Sequence, residues 1–428
     1  MVFFFLLITL AILMVLRMPI AFAMGITGFI GLAMQIGPMP ALSLLERSFF
    51  DKSSSFILVA IPLFILMAEI LTSGDVTRRA IIACQAWTGH VKGGLAMATV
   101  GASVLLAALV GSSTASTAAM ASSAFPEMRR HGYNDSLAAA VVSVGGTLAV
   151  VVPPSIVLVV YGVLTETSIG QLFIAGIVPG LLTAAGILVM IKVIAARTDY
   201  APKGEPFQFG HAVRVSSNVI PMLLLIVAVI GAIYGGLTSP TEAAGLGVLG
   251  AFLIVLSQRT LRLKAIGSSL SRSIRATVMI IAIIVCSSIF ANYLAFTGVT
   301  QAILVALADT ELSRYTILAI MVLILLVMGM FMDQLAILSL AMPLAFPAAM
   351  TLDFHPVWFG IIVTKTVEIG LLTPPLGLNA YVTAAQTKVP LRKIFHGLLP
   401  FIAMEVVVLI LLLVFPRITL FLPEMMSR

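Results

Sequence analysis

Helix-breaking residues recur along this chain at one fixed separation of 221 residues. Pro19 pairs in this way with Pro240, Pro126 with Pro347, and Pro153-Pro154 with Pro374-Pro375. Gly176 and Pro179, in Phe-Ile-Ala-Gly-Ile-Val-Pro (173–179), pair with Gly397 and Pro400, in Ile-Phe-His-Gly-Leu-Leu-Pro (394–400). Proline in a helix interior costs ~3 kcal/mol or more. Prolines in one shared register therefore mark matching backbone breaks in two copies of a unit. In a membrane chain, paired interruptions of this kind point to the binding site of a transporter.

The bilayer follows from composition. Of the 428 residues 61% are hydrophobic and only 10% charged, against about 25% charged in a typical soluble domain. Segments 2–16, 56–71, 171–191, 219–234, 276–296, 315–330 and 398–415 are nearly charge-free. Several approach the ~20 residues that cross a bilayer as a helix. The expected fold class is an all-α polytopic membrane protein in the lipid bilayer; a barrel would need short alternating strands. The net charge of +7 reflects Lys and Arg in loops, as the positive-inside rule places them, and gives no reason to expect nucleic acid. Cys84 and Cys286 are the only cysteines, too few for a metal site or a disulfide framework. No Gly-x-x-x-x-Gly-Lys-Ser/Thr loop offers a nucleotide site, so transport energy must come from elsewhere. Residues 1–16 lack a basic stretch before their apolar run and read as a span, not a cleaved signal.

The repeat divides the chain. A first unit, 1–194, contains spans 1–16, 19–37 and 56–73, amphipathic segments 38–54 and 75–92, a hairpin 93–126, a broken helix 136–164 and a span 170–194. Residues 195–218 are polar and rich in Pro and Gly, and form a cytoplasmic linker. The second unit, 219–416, repeats the order: spans 219–236, 240–257 and 276–298, amphipathic segments 259–275 and 299–314, a hairpin 315–349, a broken helix 356–386 and a span 394–416. Residues 417–428 are a C-terminal tail. Basic residues orient it: Arg129, Arg130, Arg197, Lys203, Arg214, Arg259, Arg262, Lys264, Arg272, Arg275, Lys388, Arg392 and Lys393 are expected in the cytoplasm. Loops 165–169, 235–239 and 350–356 carry no Lys or Arg and face outward. An odd number of crossings per unit then makes the two copies inverted-topology repeats, with hairpins re-entering from opposite sides. Segments 75–92 and 259–275 each carry an apolar stripe: Val76, Ala80, Cys84, Trp87 and Val91, then Leu263, Ile266, Leu270 and Ile274. They read as helices lying in the interface or packed on other protein, and in either case as arms between a fixed and a moving part.

Three stretches combine small polar residues with broken helices: Gly111–Met120 at the first hairpin tip, Gly145–Ser155, and Gly370–Asn379 preceded by Glu368. Unwound backbone at membrane depth leaves carbonyls costing several kcal/mol each unless satisfied. A cation such as Na⁺ satisfies several together, with Ser and Thr hydroxyls completing the cage. The half-helix after each break presents N–H groups and a positive dipole end, suited to a carboxylate. Against this stand small-residue helix packing for the Ser/Thr cluster and a simple kink at each Pro-Pro pair. Asp333 falls at the register position of Ser112 and offers an anionic oxygen to a cation, or a proton acceptor. Lys365 and Glu368, one turn apart, either pair or act in transport. Glu69 and Glu242 lie near span ends, and Glu405 is alone in the last span. No catalytic nucleophile and base cluster together, so the chain is not expected to be an enzyme.

Gly-Gly-Leu-Thr-Ser-Pro-Thr-Glu-Ala-Ala (235–244) and Glu-Ile-Gly-Leu-Leu-Thr-Pro-Pro-Leu-Gly-Leu-Asn (368–379), with the Ser/Thr tip and Val-Pro-Pro-Ser (152–155), resemble the large membrane subunit of tripartite ATP-independent periplasmic (TRAP) transporters over essentially the whole chain. The first tip also resembles the Ser-Asn-Thr loops of divalent-anion/Na⁺ symporters in the wider ion-transporter superfamily, though this chain has Ser-Ser-Thr, and Met-Asp-Gln (332–334) at its second tip. The resemblance implies an Na⁺-coupled importer of organic acids, such as sialic acid or C4-dicarboxylates, with a scaffold and an elevator-type transport domain. It implies a bacterial inner-membrane location, a small four-helix membrane subunit and a periplasmic substrate-binding protein as partners, and about two Na⁺ as coupling ions with no nucleotide. By position, one Na⁺ would be held by Ser112, Ser113, Ser116, Gly145, Thr147 and Val152. A second would be held by Gly329, Asp333, Thr373, Leu376 and Asn379. Substrate would lie near Ser116, Thr117, Ser155 and Asn379. The alternative is a stand-alone symporter of the same superfamily that needs no binding protein.

Overall fold

Pro19, Pro240 and the two Pro-Pro pairs stand at helix starts or breaks, whereas Pro126, Pro179, Pro347 and Pro400 lie inside continuous helices and break none. A computed structural model describes residues 2–73, 76–202, 204, 206–258, 263–308 and 312–426. In the first half lie α1 (Val2–Val15), α2 (Ile20–Ile36), α3 (Pro38–Ser53), α4 (Ala60–Ser73), α5 (Val76–Thr88), α6 (Gly94–Val110), α7 (Ser113–Arg130), α8 (Asp135–Val151), α9 (Ile156–Thr165) and α10 (Ile169–Arg197). A short α11 (Phe209–Ser216) forms within the linker. The second half holds α12 (Ile220–Tyr234), α13 (Pro240–Ser257), α14 (Leu263–Thr297), α15 (Val299–Ala308), α16 (Arg314–Phe331), α17 (Gln334–Thr351), α18 (Pro356–Gly370), α19 (Leu378–Thr387) and α20 (Leu391–Val414), followed by α21 (Arg417–Met426). No strand occurs among the described residues. Eight helical stretches among them are long and apolar enough to cross a membrane. Exposed Leu223, Leu224 and Val227 on α12, and Ile320, Leu323, Ile324 and Val327 on α16, give these helices the outward apolar faces of a bilayer protein. The chain is an all-α, multi-pass membrane protein.

Local chemistry fixes several helix starts. Ser239 caps α13: its Oγ accepts from Glu242 N at 3.3 Å, while Glu242 Oε2 accepts from Ser239 N at 2.8 Å. With Pro240 in the first turn this is a complete capping box. Glu242 is thereby employed in starting a helix. Glu69 ion-pairs with Arg272 at 2.6 Å.

One arm differs from the sequence reading, and the other follows one of its two alternatives. Residues 263–297 form one continuous helix, α14, instead of an amphipathic segment and a separate span. Only Gly267 interrupts it, and no proline does. Its Leu270 and Ile274 are exposed, while Ser269 and Ser273 are buried and donate to the carbonyls of Glu69 and Pro62. A serine face packs on α4 and leaves Leu270 and Ile274 outward. The side chains of Leu263 and Lys264, and all of Lys203, Arg259 and Arg262, lie outside the described residues. On α5, Val76 and Ala80 are buried, and Cys84 Sγ comes within 3.1 Å of where a Gly101 Cβ would stand. This stripe packs on protein. Its end, Trp87, stacks edge-on to Phe209, and its Nε1–H donates to Ser216 Oγ at 2.8 Å.

Two apolar cores result. The larger draws on helices from α4 to α20; the smaller joins α1, α2 and α3 to the last turns of α14 through Met24, Phe290 and Tyr293. The halves exchange partners: α2 packs on α14 and α13 on α4, while α7 packs on α19 and α17 on α9.

Candidate functional site

The first tip is a two-residue break. Gly111 ends α6 at φ +59°, a left-handed conformation that side-chain-bearing residues seldom adopt, and α7 starts at Ser113 with Ser112 as its N-cap. Ser113, Ser116 and Thr117, spaced for one helical face, are fully buried. The tip is bonded to the first broken helix, where Ile156 N donates to Gly111 O at 3.3 Å.

That broken helix stops because Pro153 and Pro154 supply no N–H. α8 ends at Val151 and α9 restarts at Ile156, yet Asp135–Thr165 continues as one apolar stretch of 31 residues. Ser155 clasps the gap: its Oγ donates to Val150 O at 2.6 Å and accepts from Leu158 N at 3.4 Å. Thr147 Oγ1 is likewise engaged, donating to Val144 O at 2.7 Å. Gly145 faces Ser103 on α6, and Gly146 faces Thr117 on α7. Val152 caps α8 against Gly180.

At the second tip α16 gives way to Met332-Asp333, and Asp333 caps α17, its Oδ2 accepting from Leu335 N at 3.2 Å. Gly329 lies against Gly370, where the second break begins. Thr373 donates to Ile369 O at 2.7 Å, and Leu376 is exposed. Pro374 and Pro375 are exposed too, whereas Pro153 and Pro154 are buried. Both Pro–Pro bonds are cis.

Asn379 joins the two halves of the site. On the sequence it groups with the second tip, but its Nδ2 donates to Ser113 Oγ at 2.6 Å and Ser143 O at 3.4 Å. It thus sits against the first tip, beside the Ser143–Thr383 hydroxyl pair at 2.7 Å. Where the first tip meets α19, three buried oxygens have no hydrogen-bond partner: Ser116 Oγ, Thr117 Oγ1 and Asn379 Oδ1. Two are on α7 and one on the helix packed against it. Such groups cost ~1–3 kcal/mol each unless a ligand supplies the missing contact, and oxygens alone suit a hard cation. The sequence reading did not select Ser103, Ser143 or Thr383, which look like ordinary small residues of packed membrane helices. It also left Glu405 unexplained: that carboxylate lies on Lys365, with Glu368 and Thr183 alongside. A fully buried lysine needs anionic neighbours, and the lone carboxylates of other spans were the signal.

Comparison with known proteins agrees with this architecture. Residues 7–418 match the family model for the tripartite ATP-independent periplasmic transporter, DctM component. The C4-dicarboxylate TRAP transporter large permease protein DctM of Pseudomonas aeruginosa is 39% identical over 376 residues, covering 88% of each chain. The ectoine TRAP transporter large permease protein TeaC of Halomonas elongata is 33% identical over 97% of each. The sialic acid TRAP transporter permease protein SiaT of Haemophilus influenzae is 32% identical over 87% of this chain and 60% of its own length. Among solved structures, the Alcanivorax borkumensis YdaH transporter superposes with a TM-score of 0.61 at 13% identity, over 88% of this chain and 89% of that one, which speaks for the fold alone. The chain belongs to the DctM family, the large permease component of tripartite ATP-independent periplasmic transporters.

Proposed function

We propose that this permease imports small organic acids across the bacterial inner membrane, driven by Na⁺. It receives them from a periplasmic binding protein and works beside a small membrane subunit. The observation that carries the reading is the set of unpartnered buried oxygens on Ser116, Thr117 and Asn379, where the first tip meets the helix after the second break. The first Na⁺ position is assigned to these oxygens together with Ser112, Ser113, Gly145, Thr147 and Val152, since Gly146 of that segment lies against Thr117. Asp333 and the backbone near Gly329, Thr373 and Leu376 form the second Na⁺ position. Substrate sits between the tips, and Ser155 and Asn379 lie on the α9 and α19 starts whose N–H groups favour a carboxylate. A C4-dicarboxylate is the first substrate to try, because the 39% identical relative is named for it; sialic acid and ectoine follow from other relatives.

The 221-residue register of helix starts and the exchanged packing support two inverted repeats. The close contact of α7 and α8 at Gly146 and the Asn379–Ser113 bond that ties α19 to α7 support a transport domain that moves as one piece, as an elevator requires. The test is uptake of these candidates into proteoliposomes holding the chain, its small subunit and its binding protein, with and without an inward Na⁺ gradient. Uptake should need both Na⁺ and the binding protein, and Ser112→Ala and Asp333→Ala should abolish it in folded protein. Transport without the binding protein would instead make this a stand-alone symporter, and full activity in both variants would remove the ion-site assignment.

A further inference from the structure

Lys365 and Glu368 on α18 and Glu405 on α20 have no exposed side-chain surface at all. The Lys365 ammonium donates to Glu368 Oε2 at 3.0 Å and to Thr183 Oγ1 on α10 at 2.8 Å, and it ion-pairs with Glu405 Oε2. Two oxygens thus accept hydrogen bonds from it and a third lies in ion-pair contact. The carboxylates fare worse, because Glu368 Oε1 and Glu405 Oε1 are buried without a hydrogen-bond partner. One cation against two carboxylates leaves an uncompensated negative charge, which a solvent-free interior tolerates poorly.

Among the described residues no other charge offsets it: those acting on Lys365 are Glu368 and Glu405, and those acting on Glu405 are Lys365 and Glu368. Other ionisable groups on the helices packed around the triad are engaged or exposed. Asp135 of α8 pairs with Arg129, the Tyr161 hydroxyl of α9 donates to Pro356 O, and Arg314 of α16 lies over Tyr315 and Phe354. Asp333, which caps α17, accepts from Leu335 N. Lys192 and Arg197 on α10, Tyr381 on α19, Lys388 after it, Arg392, Lys393 and His396 on α20, and Arg417 and Glu424 on α21 are exposed.

We propose that Lys365, Glu368 and Glu405 form a proton-binding site in which one proton, shared between the two glutamates, completes a neutral cluster. The chemistry is a simple protonation: one carboxylate oxygen gains an O–H, nothing is oxidised, and the formal charge falls from minus one to zero. The inference rests on burial and charge count, and holds whichever ion drives transport. Because α18 leads into the second break and α20 packs against α18, losing the proton places a bare charge beside the helix that ends at that break.

Infrared spectroscopy of the whole chain in lipid nanodiscs tests this, using protein carrying ¹³C-carboxyl glutamate. Glu368 and Glu405 are the only glutamates fully buried among the described residues, so a protonated-glutamate carbonyl band at neutral pH reports the triad. The band should be present, shift with the label, and be lost or moved in Glu405→Gln or Glu368→Gln. Melting temperature gives a second reading. On this proposal the buried pair keeps one proton near neutral pH that the unfolded chain gives up to solvent. Stability should therefore fall as pH rises, by at most about tenfold in the folding constant per pH unit, and either Gln variant should flatten the fall. If the Gln variants do not fold, the labelled wild-type band and its loss on raising pH decide alone. Absence of the band, or a band unchanged in both variants, would overturn the proposal. So would a missing band together with a Na⁺-dependent melting temperature that either Gln variant abolishes, which would identify a metal cation in the proton's place.

Discussion

At Gly146 there is no room for a methyl group. A Cβ there would stand 1.9 Å from Thr117 Oγ1 and 2.8 Å from Thr117 Cα, so α7 itself would have to move off α8. At the adjacent Gly145 the nearest atom is Ser103 Oγ at 2.6 Å, the end of a side chain that can rotate away from its Thr99 O partner. Gly146→Ala should therefore cost about 1–3 kcal/mol and abolish uptake by displacing Thr117, while Gly145→Ala should lose less of both. Thermal melts in detergent, paired with uptake, separate the two; equal losses would mean that α7 and α8 are not held at this contact. Asn379 was legible as a site residue because it follows a break. Its bond to Ser113 was not, since that bond joins positions 266 residues apart and no local pattern carries it. Glu405 shows the same limit: its partner lies on another helix, and one sequence shows only that a carboxylate is out of place.

Between elements, the second hairpin depends on a contact of bare backbone. A Cβ on Gly370 would come 2.5 Å from Gly329 Cα, and one on Gly329 2.9 Å from Gly370 Cα. No side chain can yield, so α16 and α18 approach as closely as membrane helices do at small-residue interfaces. Gly370→Ala should part them at the start of the second break, costing about 1–3 kcal/mol and reducing uptake more than binding-protein docking. A variant with wild-type melting and uptake would show that the two helices have slack. The breaks at the two Pro-Pro pairs were readable because consecutive prolines act on the backbone directly, whereas single Pro126, Pro179, Pro347 and Pro400 leave their helices continuous. The arms were not readable. Whether α14 bends at residue 275 depends on Ser269 and Ser273 finding carbonyls on α4, and a polar face that finds its partner in protein resembles one that faces water.

Across the whole molecule, a periodic sequence says which segments correspond but not which surfaces meet. Here corresponding helices trade partners: α2 meets α14 where α13 meets α4, and α7 meets α19 where α17 meets α9. The larger core accordingly mixes residues of both halves, from Phe64 and Phe173 to Phe359 and Phe401. Neither half can bury its apolar faces without the other, although the linker makes no such demand. Its first part is bonded within the first half, from Lys92 Nζ to Thr198 O, from Asn134 N to Tyr200 O and from Gly93 N to Pro202 O, and at its end Asn218 O accepts from Gln258 Nε2 of the second half at 3.4 Å. Cutting the chain between residues 204 and 205 should therefore leave two fragments that are protease-sensitive and aggregated alone. Expressed together they should assemble into a protease-resistant permease with Na⁺-dependent uptake, because the interlock itself holds the halves. A single fragment that ran as a compact, protease-resistant species would contradict the shared core. Assembled fragments without uptake would instead assign the linker a part in the movement between the halves.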